Sequence, residues 1–143
     1  MKSDPHLLFD NFDLLIEDGL ILVDPNGEVV RANQSSLSTF GTRILNQPLE
    51  YFLRHPDINQ AIDNINEFGV TSPLNYLRYD DVQHEYVVKF APFPDDHCLV
   101  RLTDVTARIN FDKIRSEFVA NVSHELRSPL TTLTGFILSL IHI

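Results

Sequence analysis

The residues best suited to chemistry stand together near the end of the chain, in the segment His124-Glu125-Leu126-Arg127-Ser128-Pro129-Leu130. An imidazole is the side chain most easily made into a neutral nucleophile near pH 7, because its unperturbed pKa is about 6.5. The neighbouring Glu125 carboxylate is suited to accept the proton from the other ring nitrogen. The pair therefore indicates nucleophilic chemistry assisted by proton transfer.

Helical spacing decides where these side chains point. At about 100° per residue, a set of apolar side chains upstream and within the segment falls in one sector about 120° wide: Phe111, Ile114, Phe118, Val122 and Leu126. His124 projects about 140° away from the centre of this apolar stripe, and Ser128 lies one turn further on the same polar side. The spacing predicts a helix that pairs with another helix through the stripe and presents the imidazole outward.

Pro129 lies one residue beyond Ser128 in this predicted helix. A proline inside a helix lacks the amide donor and clashes with the carbonyl four residues earlier, which here belongs to Glu125. We therefore expect the helix to bend or loosen beside the histidine.

The segment from His124 to Leu130, preceded by Phe118-Val119-Ala120-Asn121-Val122-Ser123, closely resembles the phosphoacceptor box of sensor histidine kinases. The resemblance implies that His124 attacks the γ-phosphate of ATP, holds the phosphoryl group as a phosphoramidate, and passes it to an aspartate of a response regulator. It also implies a homodimer built on the first helix of a helical hairpin. Among these kinases, the chain is most similar to the phosphate-regulon sensor subgroup.

The same resemblance implies roles for the flanking residues. Glu125 is the acid/base or orienting partner of the histidine. Ser128 occupies the position where relatives with phosphatase activity carry Thr or Asn, and its hydroxyl is a candidate for aligning a water. Arg127 contributes a positive field toward the phosphate or is simply a solvated charge. The alternative for the whole segment is an exposed helix without a catalytic task.

Residues 1–106 alternate short strand and helix patterns with turns. An amphipathic helix is predicted over residues 7–18, with Leu8, Phe12, Leu15 and Ile16 on its apolar face. A hairpin follows over residues 20–23 and 28–32, and then helices over 34–40, 49–52 and 58–68, with Asn33 as a cap and Gly41 and Gly69 as stops. Three strands are predicted over residues 70–79, 83–91 and 97–103, with turns at 80–81 and 92–96.

This order predicts an α+β fold of five antiparallel strands with short helices on one face, followed by a long C-terminal helix. The segment Asn33-x7-Gly41 and the strand exit Asp104-Val105-Thr106 resemble the corresponding parts of PAS sensor domains. The predicted organisation is an N-terminal helix over residues 1–18, a PAS domain over 19–106, and a signalling helix with the phosphoacceptor segment over 107–143.

The sequence of the PAS region leaves three alternatives for its function: a filled core, a cavity for a ligand, and a docking surface. The sheet is expected to curl around residues that include Leu22, Val30, Phe40, Leu77, Val88 and Leu102. These side chains either fill the core, which is the simpler expectation, or leave room for a small organic ligand; a regulatory protein docking on the surface is the third option. His55 stands near the ligand position of haem-binding relatives, but Pro56-Asp57 favours a turn there.

The charge distribution and the cysteine and histidine positions argue against nucleic-acid binding and against metal, haem or flavin-adduct sites. Residues 1–107 hold seven basic and 17 acidic side chains, against four and three in residues 108–143, which argues against nucleic acid as a partner. The single Cys98 fits a reducing compartment and a buried structural thiol, and it lies outside any flavin-adduct motif. The remaining histidines lack metal-ligand spacing, so neither zinc nor haem is expected.

The five glycines are isolated, and no phosphate-binding glycine loop occurs in the sequence. The resemblance therefore implies an ATP-binding domain beyond residue 143 that uses Mg-ATP, and a chain that cannot phosphorylate itself alone.

We expect the longer protein at the cytoplasmic face of the bacterial inner membrane, with this portion soluble. The tail LSLIHI departs from the family pattern and is a candidate foreign sequence. The alternative function is a PAS binding or dimerisation module without catalysis.

Overall fold

The computed structural model describes residues 4–79 and 82–142. The chain divides into two compact units, Met1–Thr106 and Ala107–Ile143. The helices are α1 (Pro5–Leu15), α2 (Gln34–Phe40), α3 (Ile58–Phe68) and α4 (Thr106–His142), with 3₁₀ turns at Thr42–Ile44 and Leu49–Tyr51. The strands are β1 (Gly19–Val23), β2 (Val29–Ala32), β3 (Leu74–Tyr79), β4 (Gln83–Phe93) and β5 (His97–Asp104).

The five strands form one antiparallel sheet in the order β2-β1-β5-β4-β3. This confirms the predicted fold class. β3 begins at Leu74 and not at residue 70, and β4 runs on to Phe93, so residues 92 and 93 belong to a strand and not to the predicted turn. Positive φ angles at Asp95 and Asp96 make the reversal short enough for Phe93 to pair with His97. The turn predicted at Asp80-Asp81 lies outside the described residues.

Apolar side chains pack on both faces of the sheet. The larger cluster joins the sheet to α3 and the 3₁₀ turns, and the smaller one joins β1 and β5 to α1. Val88 and Leu102 are buried in the larger cluster and Phe40 packs against it, as expected. Leu22 and Val30, however, belong to the smaller cluster, because successive strand residues alternate between the two faces.

Two further expectations about apolar side chains are wrong. Leu77 is 45% exposed and does not line the interior. In α1 the predicted face is wrong at Leu15, which is 85% exposed, whereas Ile16 packs against the smaller cluster and the Phe12 ring contacts Phe93. Pro5 and Phe9, outside the predicted face, are buried. The reason is that Phe9, at 1% exposure, packs among Leu20, Leu22 and Leu99, and this contact sets the rotation of the helix. α1 is thus a helix on the opposite face of the sheet from α3.

Short polar and glycine residues end the elements as predicted, with one difference. The Asp24 carboxylate accepts from the amides of Asn26 at 2.9 Å and Glu28 at 3.0 Å, which closes the first hairpin. Gly69 ends α3 in the left-handed helical conformation. Gly41 has φ 88° and ψ 165°, a positive φ but an extended ψ, because the chain passes directly into the next 3₁₀ turn.

Candidate functional site

Helix α4 carries the candidate phosphoryl-transfer residues. It continues without a break from Thr106 to residue 142 with Pro129 inside it, so the predicted loosening does not interrupt the helix. Two threonine hydroxyls donate back to carbonyls on either side of the proline: Thr131 to Arg127 at 2.8 Å, and Thr134 to Leu130 at 2.9 Å. Proline has no amide hydrogen to donate, and these two hydroxyl groups supply additional hydrogen-bond donors to helix carbonyls close to it.

His124, Glu125, Arg127 and Ser128 are all exposed. Within the described residues none of the four side chains forms a hydrogen bond or an ion pair. Ser128 follows His124 by four residues and lies on the same side of the helix. Glu125 lies about 100° around the axis, so adjacent position in sequence does not bring its carboxylate onto the imidazole. The helix therefore presents His124 and Ser128 together, and Glu125 separately.

The apolar stripe of α4 is open along its length. Phe111 is 65%, Ile114 66% and Phe118 66% exposed, and Val122 and Leu126 are 38% and 51% exposed. An exposed row of large apolar side chains of this length marks an interaction surface, because leaving it in water is costly. The stripe is thus available to a partner helix, as the spacing predicts.

In the PAS unit, Asn33 joins three elements through one buried side chain, which is 6% exposed. Its Oδ1 accepts from the amides of Ser36 and Leu20, each at 3.0 Å, and its Nδ2 donates to Asp13 at 3.0 Å and to the Asp18 carbonyl at 2.8 Å. The helix cap on α2 is confirmed. The bonds to α1 and β1 were not predictable from local spacing, because they depend on how α1 packs.

The strand exit Asp104-Val105-Thr106 is held by the start of β4. The Thr106 hydroxyl accepts from the Glu85 amide at 2.8 Å, the Val105 amide donates to the Glu85 carbonyl at 2.9 Å, and the Thr106 amide donates to Asp104 at 2.9 Å. Burial opposes ionisation of Asp104, but the hydrogen bonds from Thr106 and the neighbouring His84 outweigh it and lower the pKa of Asp104. His84 Nδ1 lies 3.4 Å from Asp104 Oδ2. The contribution of β4 to this exit has no local signal in the sequence.

Other candidate ligand residues have structural roles. Nδ1 of His55 accepts from the Asp57 amide at 3.0 Å, which is the turn that Pro56-Asp57 predicted. Cys98 is buried, as expected, and burial raises the pKa of its thiol to about 12. Across residues 4–79 and 82–142, no group of three or more His, Cys, Asp or Glu side chains could hold a metal ion.

The comparisons with known proteins agree with this arrangement. The PAS domain model matches residues 17–107, which is more than half of the chain. The chain belongs to the PAS domain family. A second model, the His Kinase A (phospho-acceptor) domain, matches residues 114–140 and includes the whole segment around His124.

Two curated relatives are sensor kinases. The chain is 28% identical over 132 residues to the phosphate regulon sensor protein PhoR of Pseudomonas aeruginosa, covering 88% of this chain and 28% of the relative. It is 30% identical over 128 residues to the sensor histidine kinase WalK of Bacillus subtilis, covering 84% and 21%. The chain thus spans between a fifth and a third of the length of these relatives. The resemblance to sensor histidine kinases, with a phosphate-regulon sensor among them, is confirmed.

Solved structures show the same fold. A Rhodobacter sphaeroides LOV protein superposes with a TM-score of 0.54 at 20% identity, covering 73% of this chain and 69% of that one. The histidine kinase ThkA, solved in complex with the response regulator protein TrrA, superposes with a TM-score of 0.51 at 22% identity, covering 86% and 42%. Among the described residues, no helix combines the length and the apolar character needed to cross a membrane.

Proposed function

We propose that this chain is the sensory and phosphoacceptor portion of a two-component sensor histidine kinase, in which His124 carries the phosphoryl group. The observation that supports this most directly is the exposed His124 on α4, inside the residues that match the phosphoacceptor model and directly after a PAS domain. His55, His84 and His97 contact backbone or carboxylate groups of the PAS unit, and His6 lies in α1, outside the residues that match the phosphoacceptor model.

The proposed step is a phosphoryl transfer. A lone pair on one imidazole nitrogen of His124 attacks the γ-phosphorus of ATP, the bond to the bridging oxygen of ADP breaks, and ADP leaves with that electron pair. The second ring nitrogen then loses its proton, which leaves a phosphoramidate whose imidazole ring is uncharged. In the onward transfer, a carboxylate oxygen of a response-regulator aspartate attacks the phosphorus. The phosphorus–nitrogen bond breaks with its electron pair returning to nitrogen, and a proton returns to the ring, so that neutral imidazole leaves.

The flanking side chains have distinct tasks in this proposal. Glu125 accepts the ring proton through a bridging water, because its carboxylate lies around the helix from the imidazole. Ser128, on the same side as His124, aligns a water for hydrolysis of the phosphoramidate. Arg127 adds positive charge beside the incoming phosphate.

The apolar stripe of α4 supports a homodimer. We propose that two copies pair through Ile114, Phe118 and Val122, which buries side chains that are otherwise open to water. Mg-ATP comes from a nucleotide-binding domain, because this chain has no phosphate-binding glycine loop. In the longer protein this portion lies at the cytoplasmic face of the membrane, and the reducing compartment fits the free, buried Cys98.

The proposal is tested in the longer kinase that contains this chain. With labelled Mg-ATP, we expect acid-labile, alkali-stable label on the wild-type protein and none on His124→Ala, with His6→Ala, an exposed histidine in α1, as the matched control. Label should then move to a response regulator. Full labelling of His124→Ala would show that the histidine is not the acceptor. If His6→Ala and His124→Ala lose the label to the same extent, the substitutions have damaged the fold.

The route from the PAS unit to His124 has its own test. If α4 transmits rotation, inserting two residues after Arg108 shifts the phase of the helix by about 200° and should uncouple regulation from the stimulus. A four-residue insertion, which shifts the phase by only about 40°, is the control. Regulation that survives both insertions equally would exclude a rotational signal.

A further inference from the structure

An open groove lies on the surface of the PAS unit. It has a volume of about 490 Å³ and is formed by the end of α2 and the two 3₁₀ turns that follow. Its lining residues, called the aromatic groove below, are Phe40, Arg43, Ile44, Gln47, Tyr51 and Phe52. Within residues 4–79 and 82–142, no residue of the sheet or of α3 lines it. Grooves of this volume are in the range that holds small molecules.

The walls of the aromatic groove are rings with fixed positions. The Phe40 and Phe52 rings lie 5.3 Å apart at 58°, and both pack against the larger core cluster. The Arg78 guanidinium covers the Phe40 ring at 4.6 Å. Tyr51, by contrast, is 62% exposed, so one aromatic ring stands at the mouth. A flat aromatic body therefore has ring surface to stack on.

The backbone around the groove is tied to β2. The Val29 amide donates to the Gln47 carbonyl at 2.9 Å, and the Asn46 amide donates to the Val29 carbonyl at 2.8 Å, with Asn46 at φ 66°. The Leu49 amide donates to the Gly27 carbonyl at 3.0 Å. Ile44 is 3% exposed at the base. Because these bonds hold the loop before any ligand arrives, the groove is preformed and little ordering is lost on binding.

The charge in the groove is positive within an acidic unit. Arg43 is exposed, and within the described residues its guanidinium forms no ion pair or hydrogen bond. Among the described residues, no acidic side chain lines the groove. The nearest acidic residue along the chain, Glu50, is held elsewhere by the Asn59 amide at 2.6 Å. One free guanidinium balances one negative charge and forms a planar fork that matches a carboxylate.

We infer that the aromatic groove binds a small aromatic carboxylate, with the ring on Tyr51 and Phe52 and the carboxylate on Arg43. This binding is independent of phosphoryl transfer at His124. A single negative charge fits better than a phosphate dianion, because Arg43 is the cation among the lining residues, the Arg78 guanidinium is placed over the Phe40 ring, and residues 1–107 carry an acidic excess.

The test uses 2-naphthoate as the probe and 2-naphthalenemethanol as its uncharged counterpart, titrated into the isotope-labelled 143-residue chain and followed by amide NMR shifts. We expect saturable shifts at Arg43, Gln47 and Phe52 and about tenfold weaker binding of the uncharged probe. Arg43→Gln should weaken 2-naphthoate about tenfold and leave the uncharged probe unchanged. Tyr51→Leu should weaken both.

Lys89→Gln is the matched control, because it removes one positive charge from an exposed position on β4. It should leave both affinities unchanged. The inference is overturned by equal affinity for the two probes, by unchanged binding in Arg43→Gln, by shifts confined to α4, or by no saturable shift up to millimolar probe. Unchanged amide spectra of the variants without probe, apart from neighbours of the substitution, show that they remain folded.

Discussion

The strongest structural prediction concerns Asn33. This residue is only 6% exposed, and its side chain forms four hydrogen bonds. Asn33→Ala removes the acceptor of the Leu20 and Ser36 amides and the donor to the Asp18 carbonyl. Each buried polar group left without a partner costs about 1–3 kcal/mol, and loss of a helix cap costs about 1 kcal/mol. Water entering the vacated space recovers part of this, so we expect a net loss of about 3–5 kcal/mol.

That loss is a large share of the free energy of unfolding of a domain, which is about 5–15 kcal/mol. The assay is urea unfolding of the whole chain. It is followed by near-ultraviolet circular dichroism of the tyrosines, because Tyr76 and Tyr86 are each only 8% exposed and report on the PAS core. The helix α4 contributes to far-ultraviolet signals and is best excluded from the measurement. Asn59→Ala is the matched control, since its amide only reaches the exposed Glu50.

Asn33→Asp separates the donors from the acceptors. It keeps an oxygen for the Leu20 and Ser36 amides but places a second oxygen against Asp13 and the Asp18 carbonyl. We expect a destabilisation at pH 7 that shrinks as the new carboxyl is protonated. If Asn33→Ala costs no more than Asn59→Ala, or if Asn33→Asp matches wild type at pH 7, the side chain does not join the three elements and the reasoning fails.

Three further predictions use the same unfolding assay or a simple thiol reaction. Gly19→Ala should destabilise the PAS unit by about 1–3 kcal/mol, because its Cβ would stand 2.9 Å from the Ser36 hydroxyl; an unfolding curve equal to that of wild type would refute the clash. The pKa of Asp104 in the folded chain lies below its ordinary value of 3.8, so the ionised carboxylate stabilises the fold above that pH, and this stabilisation is lost as the pH falls further. The free energy of unfolding of wild type should therefore fall more steeply below pH 3.8 than that of Asp104→Asn. Parallel curves for the two proteins would contradict this. Cys98, with its thiol pKa raised to about 12 by burial, should react with a disulfide reagent at pH 8 only as fast as the chain unfolds, and rapid native labelling would contradict the burial.

Local chemistry made much of the fold predictable. Asn33 three residues before Ser36, Gly69 after an amphipathic run, and Asp24 before Asn26-Gly27 each specify a cap or turn through atoms a few residues apart. The helix of α4 and the direction of its apolar stripe also follow from spacing alone. These are features whose partners are close in sequence, so a pattern read along the chain contains both members.

Features whose partners are distant in sequence were predicted poorly. The rotation of α1 depends on Phe9 meeting Leu20 and Leu99, and no spacing within residues 5–15 expresses that. The inward face of the sheet was misassigned at Leu22 for a related reason: a strand buried on both faces lacks the alternation that would reveal its phase. At the candidate site, the contact of β4 with Thr106 joins residues 21 apart and leaves no local pattern.

The two polar networks of the PAS unit have a common physical cause. β1 extends past the end of β2, which leaves the Leu20 amide without a ladder partner, and Asn33 Oδ1 supplies one. β5 ends at Asp104 opposite Tyr86, which leaves the Glu85 amide and carbonyl open, and Thr106 and Val105 fill them. Because buried backbone groups are nearly always paired, the Asn33 and Thr106 side chains and the Val105 amide replace the strand partners that are missing at these two ends. Thr106, the first residue of α4, is therefore tied to β4 through the Glu85 amide, one residue from the Tyr86–Asp104 pair that ends the β4–β5 ladder.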